Sequence, residues 1–244
     1  MCGRFTITSP PEAMRHLFGY EGQPNFPPRY NIAPTQPVPI IRVGANGARE
    51  FVLVRWGLVP SWSKEMPTTP LFNARADTIN DKPSFRGAFR HHRALMPADG
   101  FYEWRVLSGG AKQPYFIRRR DRTPFAMAAI WDNWMPANGS ELESCAVVTT
   151  EANETLTPIH HRMPVILDPK DYVVWLDPTT PLKELEALLV ATPDDAMEAI
   201  PVSPDVNRVA NDNPALLDPY LAPPLPVAAK KKEKTTDDRQ QDLF

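Results

Sequence analysis

A chain of 244 residues, 42% hydrophobic and 23% charged, has room for one large domain or two small ones and the composition of an ordinary globular protein. Its formal net charge of −2 excludes a nucleic-acid binder that works through a global positive field, so any such contact needs a local basic stripe. Two distant cysteines exclude a disulfide framework and fit a reducing cytoplasm, and no apolar run approaches the length of a membrane span.

The first element is the start itself, Met1-Cys2-Gly3-Arg4-Phe5. A small second residue lets an aminopeptidase remove the initiator methionine, and Cys2 would then carry a free amine and a free thiol on adjacent carbons. Such a 1,2-aminothiol condenses with an aldehyde to an imine, and the sulfur closes onto the imine carbon as a thiazolidine. The reference pKa values, about 8 for the amine and about 8.5 for the thiol, keep both groups near their reactive forms at neutral pH. Gly3, Arg4 and Thr6 leave no apolar signal core, and Cys2 stands where a myristoylated chain needs glycine.

Ser9-Pro10-Pro11-Glu12 reads as a capped helix start with a capping box, running to about Phe18 and ended by Gly19. Strands are expected at Val38–Val43, Glu50–Leu58, Ala94–Met96, Phe101–Val106, Gln113–Arg120, Phe125–Trp134, Ser144–Thr150 and Met163–Leu167, each rich in β-branched or aromatic residues. Asn46-Gly47 reads as a hairpin turn. Short helices are expected at Thr155–His161, Asp168–Leu176 and Pro181–Ala191. The 29 prolines, about 12% of the chain against a usual ~5%, favour many short strands joined by rigid turns over a helical bundle. Cys145 reads as a small apolar residue buried in a strand.

Residues 1–221 are expected to form the domain and residues 222–244 a disordered tail, since Pro223-Pro224-Leu225-Pro226 and Lys230-Lys231-Lys232 cannot bury enough surface to fold. The tail ends Gln240-Gln241-Asp242-Leu243-Phe244. This is similar to the short peptide by which bacterial replication proteins bind the sliding clamp, with Gln240 first and Leu243 and Phe244 last. A tether of about 20 residues spans roughly 25 Å, enough to concentrate the domain near such a partner.

Four segments concentrate unusual residues: Cys2-Gly3-Arg4-Phe5; Trp56-Gly57-Leu58-Val59-Pro60-Ser61-Trp62 with Phe72-Asn73-Ala74-Arg75-Ala76-Asp77; Met96-Pro97-Ala98-Asp99-Gly100-Phe101-Tyr102-Glu103-Trp104; and Pro158-Ile159-His160-His161-Arg162-Met163-Pro164. Glu103 lies between two aromatics, so alternation alone would turn it to solvent; facing a pocket, it would gain a raised pKa suited to proton transfer. His160 titrates in the range needed to open a closed hemiacetal sugar, while His161 is expected to point elsewhere. Asn73 could fix an amine without altering its charge. Trp56, Trp62 and Trp104 could stack on bases, with at least one expected in the core. His91-His92 lacks companions with zinc spacing, so no metal and no cofactor are expected.

In that order the segments resemble the SRAP (SOS response-associated peptidase) family, from Cys2 to roughly Pro204. The resemblance implies an α+β, β-rich single domain, with curved antiparallel sheets forming a barrel-like core and short peripheral helices. It also implies a covalent link between Cys2 and the aldehyde of an abasic site in single-stranded DNA. Cys2 would be the nucleophile, Asn73 would orient it or the opened sugar, Glu103 would be the acid/base group, and His160 would assist ring opening. Arg4, Arg75 and Arg162 would hold phosphates, with Trp56 and Trp62 also on the DNA. Two positions depart from the family pattern: Asp77 stands for the usual Glu, and Ala94 for a frequent Cys. The expected protein is a cytoplasmic monomer, nucleoid-associated when bound to DNA, with no membrane partner. An N-terminal-nucleophile peptidase, in which the Cys2 amine serves as base for its own thiol, is the alternative. A non-catalytic single-strand binding module is the third reading.

Overall fold

Apolar runs too short for long helices and too regular for loops pair into two sheets. The structure, a computed structural model, describes residues 2–22, 24–136 and 139–221. In chain order its elements are β1 (Phe5–Ile7), α1 (Pro11–Phe18), β2 (Arg29–Ile32), β3 (Pro37–Val43), β4 (Arg49–Trp56), β5 (Asn73–Arg75), α2 (Pro83–His91), β6 (Arg93–Ala98), β7 (Gly100–Val106), β8 (Lys112–Arg119), β9 (Phe125–Trp134), β10 (Leu142–Glu151), β11 (Arg162–Pro164), β12 (Ile166–Leu167), α3 (Tyr172–Leu176), α4 (Leu182–Ala187) and β13 (Met197–Pro201).

The larger sheet is organised around β9. Its pairings run β10–β4–β3–β6–β9 and return to β10, a ring of five strands with β5, β11 and β12 attached. Ala126, Ala128 and Ala129 of β9 are fully buried, as are Ala94 of β6 and Ala146 of β10. Small side chains at these positions let the strands wrap tightly around larger neighbours such as Met96, Met127 and Val147. The second sheet has the order β13-β8-β7-β1-β2 and is antiparallel throughout. The barrel-like β-rich domain is therefore as expected, with one difference: β10 runs parallel to β4 and to β5. Among the described residues, no helix is long and apolar enough to cross a membrane.

Gly100 begins β7 because nothing larger fits. A Cβ there would sit 2.3 Å from the Phe116 ring and 2.7 Å from the Ile117 carbonyl oxygen. The close approach of β7 to β8 that follows fixes where Glu103, three residues on, must lie.

Three local expectations fail for physical reasons. Ser9 does not cap α1; its hydroxyl and amide bond instead to Asp99, whose carboxylate also takes the Thr8 amide, and the helix begins at Pro11. Thr155–His161 is not a helix. Leu156 and Thr157 bond back to Asn153, Ile159 and His160 bond back to Leu156, and Pro158 has no N–H to continue a ladder. The α4 helix stops at Ala187, after which Leu188 and Leu189 make tighter bonds to residues three back. Gly19, left-handed at φ 66°, does end α1 after Phe18.

One buried cation ties the helices to the ring. Arg93 is 4% exposed and donates to the carbonyls of Phe89 and Arg90 at the end of α2 and of Trp175 and Asp177 at the end of α3. Methionine at this position fills the volume but strands four carbonyls. Arg93→Met is expected to cost about 3 kcal/mol, lowering Tm in thermal unfolding by about 6–12 °C. A Tm within about 2 °C of wild type would reject that role.

Candidate active site

The register of β1 against β7 builds the site. Phe5 pairs with Phe101 and Thr6 with Gly100, and the Tyr102 amide donates to the Arg4 carbonyl at 2.9 Å. Continuing that register brings residues 2 and 3 alongside Glu103. Alternation along β7 sends Phe101 into the main core and Tyr102 into a second apolar cluster with Phe116, Val202, Val206 and Leu216. Glu103 shares the face of Phe101 and is 3% exposed; Cys2 is fully buried.

Asn73 comes from the other sheet. It opens β5, which lies parallel to β10 with Asn73 opposite Val147. Its Nδ2 donates to the Cys2 carbonyl at 2.9 Å, and its Oδ1 is buried without a hydrogen-bond partner among the described residues. The contact fixes the peptide plane that leads to the Cys2 amine. His160 ends the 152–161 connection between β10 and β11. Its Nδ1 lies 3.0 Å from the Arg162 amide nitrogen and 3.1 Å from the Arg162 carbonyl, and its ring stacks on His161 with centroids 4.4 Å apart.

Glu103 and His160 line one groove of about 850 Å³, together with Arg4, Trp104, Lys112 and His161 among others, while Cys2 lies buried behind it. Trp104 is held edge-on by its Nε1–H, which donates to Asn207 Oδ1 at 2.7 Å, and the Arg4 guanidinium lies 5.8 Å from its ring centre. A cationic side chain against an indole, at the lip of a groove of ligand size, suits an anionic aromatic polymer.

Burial sets the electrostatics. It pushes the Cys2 thiol far above its ordinary value, and the Glu103 carboxylate adds to the rise. Burial likewise raises the Glu103 carboxyl, and burial lowers His160. The resting site therefore favours a neutral thiol, a carboxyl able to hold a proton, and a neutral imidazole.

Residues 1–209 match the family model described as SOS response associated peptidase (SRAP). This chain belongs to the SRAP family. It is 38% identical to abasic site processing protein YoqW of Bacillus subtilis over 226 residues, 90% of this chain and 100% of that protein. It is 33% identical to abasic site processing protein HMCES of Gallus gallus, across 96% of this chain and 82% of that one. A crystal structure of a protein from Bacteroides thetaiotaomicron superposes with a TM-score of 0.82 at 28% identity, over 90% of this chain and 100% of that chain.

Placed on this SRAP fold, the expected DNA contacts divide. Arg4 lines the groove, but its Nη1 already donates to Asn31 Oδ1 and to the Val206 carbonyl, both at 2.7 Å. Arg75 is exposed and paired with Asp77 at 2.7 Å. Arg162 is 5% exposed, and its guanidinium donates through Nε and Nη2 to the Thr149 hydroxyl and carbonyl. Trp56, also expected on the DNA, packs in the core. It is fully buried between Phe5 and Phe72 with its Nε1–H spent on the Phe72 carbonyl, leaving no face for a base. Trp62, 63% exposed, lines a separate cavity of about 490 Å³ beside α2.

His161, expected to turn away, lines the groove too, while Cys145 is buried in β10 as anticipated. Sequence reasoning missed Asn31 and Asn207. Asn31 is fully buried and its Nδ2 donates to the carbonyls of Val206, Arg208 and Asn211, pinning the wall that carries Asn207. Lone asparagines more than a hundred residues apart leave no local signal of such a pairing. Gln240, Leu243 and Phe244 lie outside the described residues.

Proposed function

We propose that this protein captures abasic sites in single-stranded DNA as a thiazolidine on Cys2, after loss of Met1. The observation that supports the reading is the meeting of Cys2 with Asn73 from one sheet and Glu103 from the other, where Glu103 also lines a groove shared with His160.

The Cys2 amine adds to the C1′ aldehyde of the opened sugar, and loss of water leaves an imine. The Cys2 sulfur then adds to the imine carbon, its proton passing to the nitrogen, and the ring closes. A bare imine beside the acidic C2′ position is an electron sink that promotes β-elimination and strand scission. Closing the C–S bond removes that sink, so the product shields the strand. Glu103 carries protons in both steps, and Asn73 holds the backbone so that the amine meets the aldehyde in one orientation. The reaction calls for no cofactor.

The deciding experiment incubates the full chain with single-stranded DNA containing one abasic site and resolves the products under denaturing conditions. A protein–DNA band of the mass of the Met1-less chain plus oligonucleotide minus water supports the reading. Peptide turnover without such a band supports the N-terminal-nucleophile peptidase, the activity in the family's own description. A band-free protein that binds intact single strands equally well as Cys2→Ala supports the binding module.

The two tryptophans separate contact from core. Trp62→Ala is expected to weaken single-strand binding by about 1–3 kcal/mol in anisotropy titrations with Tm unchanged. Trp56→Ala is expected to cost about 3–5 kcal/mol of stability instead. The reverse pattern would exchange their roles. The C-terminal peptide is proposed to recruit the protein to the replication sliding clamp. Deleting residues 240–244 then abolishes clamp pull-down while leaving crosslinking to free oligonucleotide intact; retained pull-down rejects the idea.

A further inference from the structure

We infer that His160 acts as a neutral imidazole with its proton on Nε2, donating a hydrogen bond to the oxygen that gains charge as the sugar opens. The Arg162 backbone amide sets that tautomer, and the Arg162 side chain holds the amide in place. The functional half of this inference rests on the abasic-site reading above; the tautomer does not.

The argument starts from what a backbone amide can do. It donates and cannot accept, so the 3.0 Å contact from Arg162 N requires a lone pair on His160 Nδ1. In a neutral ring the proton is then on Nε2. The Arg162 carbonyl is also near, at 3.1 Å, and would receive a proton on Nδ1. That arrangement turns the amide hydrogen and the ring hydrogen toward one another and loses the amide bond.

Rotation of the ring is hindered by its stack on His161. Movement of the amide is hindered by the strand and the side chain: Arg162 pairs with Glu151 across β10 and β11, and its guanidinium is fastened to Thr149. Arg162, with Nε and Nη2 both spent on Thr149, is thus a positioning residue.

The surroundings agree. The titratable and charged groups about this ring are His161 and Arg162 on its own connection and the chain's amino terminus, with Arg4, Glu103 and Lys112 lining the same groove. Burial first, then the positive amino terminus, and more weakly His161 and Arg162, disfavour the imidazolium and outweigh the opposing pull of the Arg162 backbone contact.

Ring opening moves one proton and no net charge. The C1′ hydroxyl gives its proton to the Glu103 carboxylate as the C1′ carbonyl forms. The C1′–O4′ bond breaks with its electron pair going to O4′, and O4′ takes the proton back from the Glu103 carboxyl. Charge builds transiently on O4′, and a fixed Nε2–H aimed there stabilises it without itself titrating.

Long-range ¹H–¹⁵N spectra of the full chain labelled at histidine test the tautomer directly, with His160 assigned by its loss in His160→Gln. The expected result is an unprotonated Nδ1 and a protonated Nε2 from about pH 7 to about pH 8, above the ordinary imidazole range that burial lowers. A protonated Nδ1, or an imidazolium across that range, overturns the inference whether or not any crosslink forms.

Kinetics test the role. Single-turnover crosslinking is expected to fall about 100-fold in His160→Leu and less than about tenfold in His160→Gln, whose amide both accepts and donates. A wild-type rate that falls as pH rises through imidazole titration, and does not in His160→Gln, would show an imidazolium acid and overturn it. Arg162→Met is expected to yield mixed tautomers and slower crosslinking with unchanged affinity for intact single strands. Weakened affinity with an unchanged tautomer would instead make Arg162 a DNA contact and sink its positioning role.

Discussion

Cys2→Ser protein is expected to keep its α-amine and yet fail to make a durable adduct. Serine's oxygen can close an oxazolidine, but that ring reopens readily, so the product remains in exchange with the imine. After heating, adduct survival is expected to drop at least about 100-fold, which corresponds to about 2.7 kcal/mol. Cys2→Ala removes ring closure altogether and is expected to give only imine, trapped by borohydride and accompanied by strand cleavage. The two variants together separate the amine from the thiol: borohydride trapping survives in both, and heat-stable product in neither. Both fit the cavity, since Cys2 is fully buried and each replacement is no larger. A serine adduct as durable as wild type would remove the thiol from the chemistry. Crosslinking by a chain whose intact mass still includes Met1, or an acetyl group on Cys2, would remove the amine.

Burial of Cys2 also explains why the site needs help. A thiol pushed well above its ordinary pKa has almost no thiolate at neutral pH. On the proposed mechanism the sulfur would wait as a thiol until the imine forms beside it, and the newly cationic imine would draw its proton away, so the electrostatics favour the order amine first, sulfur second.

What could be read in the sequence follows the range of the interactions involved. Strands such as Phe125–Trp134 announce themselves, because their apolar residues are contiguous and bounded by turn formers. The α2 helix, Pro83–His91, was missed because Ser84, Arg86, Gly87 and Arg90 dilute its apolar stripe, leaving Ala88 and Phe89 as its buried residues. The short β1, β2 and β5 were missed for a different reason. Three or four residues carry no periodicity, and their pairing is imposed by partners far along the chain.

The same distinction governs the site. Cys2, Asn73, Glu103 and His160 were named through resemblance, while their meeting depends on β1 lying beside β7 and β5 beside β10. Trp56 and Trp62 sit in one segment and look alike as letters. One ends β4, buried against Phe5 and Phe72, and the other lies past the strand's end, a difference set by where β4 stops. Arg162 shows the limit most clearly. The resemblance alone assigns this arginine to a phosphate, and nothing local in the sequence signals its bonds to Thr149 across the strand pair.

Glu103→Gln is expected to give a more stable protein that scarcely reacts. The carboxyl is 3% exposed, and burial raises its pKa above the ordinary value of 4.5. A carboxyl with a raised folded-state pKa binds more protons in the folded than in the unfolded chain. Its contribution to stability is fully present below the unfolded pKa and is lost as pH rises through the folded one. Wild-type Tm is therefore expected to decline from about pH 4.5 upward relative to the glutamine variant, the two curves meeting below that value. Glutamine keeps the shape and the hydrogen-bonding atoms but cannot carry a proton. Crosslinking is accordingly expected to fall by about 10²–10⁴-fold, with the limb of the pH–rate profile that belongs to this carboxyl gone. A variant that is both less stable at neutral pH and fully active would mean that Glu103 is a structural residue whose burial serves the sheet. A variant stabilised and inactive would show the strain that a buried acid imposes on β7 to be the cost of its catalysis.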